Sequence, residues 1–353
     1  MWSMTGRPRL AQIDLLKGAA ILSVIAIHGL ARHELRDGWA GLWFGQAVPV
    51  FLVLMAVNAS QQMRRANASR LRDLYSRAYF AGRVERLLRP FAVVWLAALA
   101  IGAVHGGLHF GPLMLTGVIP LRGPGNYFVT IAFEFVVVFP ALWWAFQRAP
   151  GVTIAGAFAL DAAFELVAPS VFHGAYPYGY DAAILRYLGQ VVLGLWIVSH
   201  PRIGERGNRW ILALGAVGVA YEVVLHVDRG LFTWLRLDFG TSTNFIAAAY
   251  AVVLVLAGLR FLPSEVRRLP AVALAELGRA SWHIFLVQIV WFAVVHLRGA
   301  EALPLHMLGA GAIGYALYRV MSRPRRAAGS EPTARTRGRP RSGRSARSPA
   351  RSS

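Results

Sequence analysis

Two side chains near the start of the chain have the types and spacing that chemistry needs. Lys17 is the only lysine among 353 residues, and it lies eleven positions before His28 inside an apolar stretch from Ile13 to Leu30. An imidazole titrates near neutral pH, so His28 can take a proton from a hydroxyl under attack, as a general base must. Eleven residues of α-helix turn the chain by about 1,100°, leaving the two side chains within roughly 20° of each other and about 16.5 Å apart along the axis. They share a face but cannot touch. Ionisable groups in an apolar segment are costly, so the pair marks a candidate functional site. The structural alternatives are a hydrated helix-end histidine and a lysine that snorkels to an interface or pairs with Asp14, three residues earlier.

The elements that position this pair are membrane helices. Hydrophobic residues make up 56% of the chain and charged residues 15%, with 11 tryptophans and a mean hydropathy of +0.47, far from soluble averages. Apolar stretches of about 20 residues predict an all-α integral membrane protein with about ten transmembrane helices. They lie near residues 13–31, 41–60, 90–105, 127–147, 152–172, 181–199, 209–227, 242–262, 273–297 and 303–321. The third is short, and 106–121 reads as a re-entrant or interfacial piece. The N-terminal run keeps Lys17 and has no clear small-residue cleavage site, so it reads as a retained first helix. With the N-terminus placed in the cytoplasm, inward loops carry fifteen arginines and outward loops six, a positive-inside bias that also puts the C-terminus inside. The expected location is the plasma (inner) membrane, multi-pass.

The domain expectation is a polytopic unit, 1–321, followed by a disordered Arg/Ser/Pro-rich cytoplasmic tail, 322–353. Net charge is +20, yet 10 of the 37 basic residues fall between Arg323 and Arg351, in a stretch without apolar periodicity. Such a tail is attracted to anionic lipid head groups, and no specific nucleic-acid partner is expected. With no cysteine, the chain has no disulfide, thiol nucleophile or cysteine-ligated metal. No metal site and no permanently bound cofactor are expected.

Other residues extend the candidate list. Arg83, Arg86 and Arg89, at i, i+3, i+6 spacing before the third helix, form a possible phosphate cradle, because guanidinium groups bind phosphate bidentately. Positive-inside orientation alone also places arginines there. Glu134, Asp161, Glu165, Arg186, Glu222 and His226 are polar groups in the outer halves of later helices. Asp161 with Glu165, and Glu222 with His226, share helix faces. They read either as an internal ion-pair network or as a pocket for a polyhydroxylated acceptor, with Tyr176, Tyr178 and Tyr180 nearby.

The run Ile13-Asp14-Leu15-Leu16-Lys17-Gly18-Ala19-Ala20-Ile21-Leu22, followed by His28, resembles the first helix of the acyltransferase-3 family of membrane acyl-CoA-dependent O-acyltransferases. That family carries an Arg or Lys, ten residues, then a catalytic His. Val48-Pro49-Val50-Phe51, the segment Arg83-Val84-Glu85-Arg86-Leu87-Leu88-Arg89-Pro90, Arg186-Tyr187-Leu188 and the stretch Leu277 to Leu286 resemble later family segments in order and spacing. The likeness spans residues 10 to about 320. Two positions depart from it: Met55-Ala56 replaces a common Ser-Gly, and Gln288 stands where members often place a His, with His283 nearby as a possible substitute.

The resemblance implies transfer of an acyl group, acetyl being the expected one, from acyl-CoA as co-substrate to a hydroxyl of a glycan, cell-envelope polymer or glycosylated small molecule. His28 would act as base or carry the acyl group covalently. Lys17 would assist, with Asp14 supporting it, and Arg83, Arg86 and Arg89 would hold the CoA phosphates. The expected partners are acyl-CoA, the acceptor and the lipid bilayer. A secondary transporter or flippase of a polar solute is the alternative, since buried charges in many helices also describe such carriers.

Overall fold

The computed structural model describes residues 11–66, 70–121, 123–171, 178–228 and 244–323. The elements in chain order are α1 (Ala11–Gly29), α2 (Arg32–Asp37), α3 (Ala47–Ala66), α4 (Leu71–Leu74), α5 (Arg77–Arg83), α6 (Arg89–His105), α7 (Tyr127–Arg148) and α8 (Pro150–Val171), then α9 (Tyr178–Asp181), α10 (Leu188–Ser199), α11 (Arg209–Val227), α12 (Ala248–Phe261), α13 (Leu269–Val294) and α14 (Leu303–Met321). Among the described residues there is no strand, only an isolated bridge between Leu108 and Leu121.

Among the described residues, seven helical segments are long and apolar enough to cross a membrane. The expected ten also count the shorter apolar segments Ile184–Ser199 and Ala248–Phe261, and α14. Leu96, Val104, Val152 and Leu160 are each more than half exposed on the bundle surface, as lipid-facing side chains are. The expected tail, 322–353, lies outside the described residues from 324 onward, as do Arg122, Tyr176, Arg229 and Arg236.

Prolines set several boundaries. Pro270 sits in the first turn of α13, where the missing N–H deprives no helical bond, whereas Pro90 opens α6 where the helix runs on from the residues before it. Pro140 lies inside α7 and leaves the Val136 carbonyl without its helical donor. Tyr79 on α5 supplies one: its hydroxyl donates to Val136 O at 2.8 Å, while Tyr75 donates to Val137 O at 2.7 Å. Between α5 and α6 the backbone widens into a π-turn, Val84–Leu88.

Central to the bundle, α1 packs against α3, α12, α13 and α14. Its closest approach is to α13, where Gly18 lies against the Leu274 carbonyl and Gly278 against the Asp14 carbonyl, with no room for a Cβ at either. Asp14 is 1% exposed and accepts from Arg279 Nε at 3.2 Å. The α6–α7 connection folds back on itself: His109 N donates to Pro120 O at 3.1 Å, and the Asn126 amide brackets the backbone of Ile119 at 2.9 and 3.0 Å.

Candidate active site

Because α1 is unbroken from Ala11 to Gly29, Lys17 and His28 occupy one helix face, both half-buried. The imidazole faces the bundle interior. Its ring meets Phe292 of α13 edge-on, with centroids 5.9 Å apart. On the other side stands the loop that enters α7. Gly125 has φ +82°, a backbone region that favours glycine. A Cβ placed there would lie 3.4 Å from His28 Nε2, 3.1 Å from Gln288 Nε2 and 3.5 Å from Phe285 Cζ. Three elements, α1, α13 and the loop 119–126, therefore converge on one point beside the His28 ring nitrogen.

A second layer fixes this end of α1. Gly29, next to His28, packs on the ring of His306, which is fully buried. Trp291 Nε1 donates to His306 Nδ1 at 3.0 Å, so the proton sits on Nε2, which donates to Leu297 O at 3.1 Å. Glu34 accepts from the backbone N–H groups of Ala31 at 2.7 Å and Ala300 at 2.8 Å, which hold its carboxyl below the usual carboxylate range. Gly299 N donates to Gly29 O at 2.8 Å.

The arginines gather around the π-turn. Arg83 stacks on the Tyr79 ring at 4.9 Å, and its buried Nη2 has no hydrogen-bond partner among the described residues. Arg86 is exposed and donates through Nε to Gly82 O at 3.0 Å. Arg89 pairs with Glu85. The wider turn breaks the α-helical register that a common face for all three would need, and Arg89 is already committed to a carboxylate. Trp282 of α13 donates to Leu87 O at 3.2 Å and stacks on Phe285, with centroids 6.1 Å apart and planes 8° from parallel. Phe285 in turn reaches Gly125. One face of α13 thus joins the arginine-bearing turn to the surroundings of His28.

The sequence matches the acyltransferase domain of the acyltransferase-3 family over residues 10–318, which includes every residue named above. The chain belongs to the acyltransferase-3 family. No curated protein and no solved structure matches it. It is a membrane acyltransferase.

In this acyltransferase two of the remaining sequence candidates, Glu165 and Arg186, belong to one ion-pair network. Arg186 is 1% exposed and donates to Glu165 at 3.0 Å and Asp181 at 2.7 Å, with its guanidinium over the Tyr180 and Tyr187 rings. Tyr180 donates to Glu165 as well. Asp161 accepts from Gly189 N at 3.3 Å, and its other oxygen is buried without a partner among the described residues. Glu134 accepts from Ile184 N at 2.7 Å. Farther away, Gln46 donates to Glu222 at 3.2 Å, and His226 stacks on Trp39. Tyr178 lies 2.7 Å from Thr130 Oγ1 and donates to Asn126 O at 3.2 Å, so the loop carrying Gly125 also contacts this side of the acyltransferase.

Sequence reasoning gave the Gly125 loop no role, and gave Arg279 none beyond its place in the family-like stretch Leu277 to Leu286. Gly123-Pro124-Gly125-Asn126 carries a turn signal that could have been used, but nothing in it points to His28. His283 packs on the Tyr318 ring of α14 at 5.4 Å, whereas Gln288 lies beside His28, so Gln288 is the α13 residue at the site.

Proposed function

We propose that the chain transfers an acyl group, acetyl being the simplest, from acyl-CoA to a hydroxyl of a polyhydroxylated acceptor such as a glycan, envelope polymer or glycosylated small molecule. The observation that carries this reading is the placement of His28 Nε2 in the bundle interior beside Gly125, at the end of an aromatic α13 face that begins at the arginine-bearing π-turn. Arg83 and Arg86 hold the CoA phosphates at the cytoplasmic face of the plasma membrane, with Arg89 serving through its pair with Glu85 to brace the turn. Lys17 lines the same wall of α1 and holds the donor on its way in. The termini are cytoplasmic.

His28 takes the proton of the acceptor hydroxyl as its oxygen forms a bond to the thioester carbonyl carbon. The carbon–sulfur bond then breaks and CoA leaves as the thiol, receiving the proton. Glu134, Asp161, Glu165 and Arg186 shape the acceptor side. His28→Ala should insert normally and bind acyl-CoA but lose transfer by at least about 10²-fold, the usual contribution of a general base. Released CoA is read with a thiol reagent, which finds no background in a cysteine-free chain. Near-normal turnover by that variant would remove His28 from the mechanism.

A further inference from the structure

The Gln288 side chain is fully buried next to His28, and only half of its amide is used. Its Nε2 donates to Pro124 O at 3.3 Å. That carbonyl can only accept, so the NH2 group must face it, and the orientation of the amide follows from chemistry. The carbonyl end is left over: Oε1 is buried and has no hydrogen-bond partner among the described residues. An acceptor held dry and unpaired is costly, and such an atom in a folded protein calls for a role.

Placement indicates what it takes. Gln288 lies on the α13 face that carries Trp282 and Phe285, and its amide comes as close to the Gly125 Cβ position as His28 Nε2 does. A donor threaded along this face toward His28 passes Gln288 last. The arm of acyl-CoA near the thioester contains an amide whose N–H would otherwise enter an apolar wall unpaired. Resting on the acyl-CoA reading above, we propose that Gln288 Oε1 accepts the hydrogen bond from the amide N–H nearest the thioester, making Gln288 the residue that sets the depth of the acyl carbon beside His28.

The test compares the binding of two probes to the full-length purified chain in detergent or nanodiscs. One is acetyl-CoA, and the other is the acetyl-CoA analogue in which that amide N–H is replaced by an ester oxygen. The wild-type chain should prefer acetyl-CoA by about tenfold or more, the value of one buried hydrogen bond with its partner left unpaired. Gln288→Met, similar in volume but without an acceptor, should bind the two probes equally. Equal affinities in the wild type, or an undiminished preference in Gln288→Met, would overturn the assignment while leaving the acyl-CoA reading intact. Failure of the wild type to bind either probe would overturn that reading and this inference with it. Should Gln288→Met not fold, the wild-type ratio alone still decides.

Discussion

Replacing Gly125 with alanine tests the geometry of the site through a single methyl group. Two effects follow. The first is conformational: at φ +82° an L-residue carries a strain of about 1–2 kcal/mol, small beside the roughly 5–15 kcal/mol that holds a folded domain together. The second is steric and local. The new methyl would sit 3.1 Å from Gln288 Nε2 and 3.4 Å from His28 Nε2, so one or both groups must retreat by a few tenths of an ångström. A reacting group displaced by about 1 Å can lose 10²-fold in rate, so a shift of a few tenths of an ångström should lower kcat/KM for acyl transfer by roughly several-fold. Gly107→Ala separates the two effects. Gly107 has φ +83°, and the nearest atom to its added Cβ is Leu121 Cδ2 at 4.0 Å, which imposes backbone strain without collision. Both variants should lose similar thermal stability in detergent, while only Gly125→Ala should lose CoA release in the thiol assay. Equal activity in the two variants would show that the loop does not border the reacting groups.

Tyr79→Phe removes the donor to the carbonyl freed by Pro140 and should cost about 1–3 kcal/mol of stability; the apparent KM for acyl-CoA should hold, because the ring under Arg83 remains, whereas Tyr79→Leu should raise it. Arg186→Met strips a buried cation from Glu165 and Asp181 and should destabilise by about 3–5 kcal/mol, partly recovered by adding Glu165→Leu; a loss confined to activity, with the melting temperature unchanged, would assign Arg186 to the acceptor instead. Glu34 has a carboxyl held below its ordinary range by two backbone N–H donors, so its contribution is complete above the unfolded value and is lost as pH falls through the folded one. Protease sensitivity of the 295–302 loop should therefore rise in acid, and Glu34→Gln should reproduce that sensitivity at neutral pH.

The helices were legible because their signal is local. The apolar lengths place α7, α11 and α14 within a residue or two of their observed bounds, and the eleven-residue interval puts Lys17 and His28 on one face of an unbroken α1. What could not be read depends on contacts between distant segments. Asp14 meets Arg279 across 265 positions, and Gln288 meets Pro124 across 164. No periodicity encodes such meetings; they follow from how α1 and α13 pack. The π-turn was also hidden, since Val84–Leu88 has an ordinary helical composition and its widening shows only in the backbone. Arg186 was visible as a charge in an apolar setting, but its partner Asp181 lies in a short helix that no sequence pattern marks out.

The interlock between Gly18 and the Leu274 carbonyl, mirrored by Gly278 and the Asp14 carbonyl, bears on how the protein must move. Backbones in such close register cannot slide or roll past each other without expelling one another, so the helix bearing His28 behaves as a post and not as a hinge.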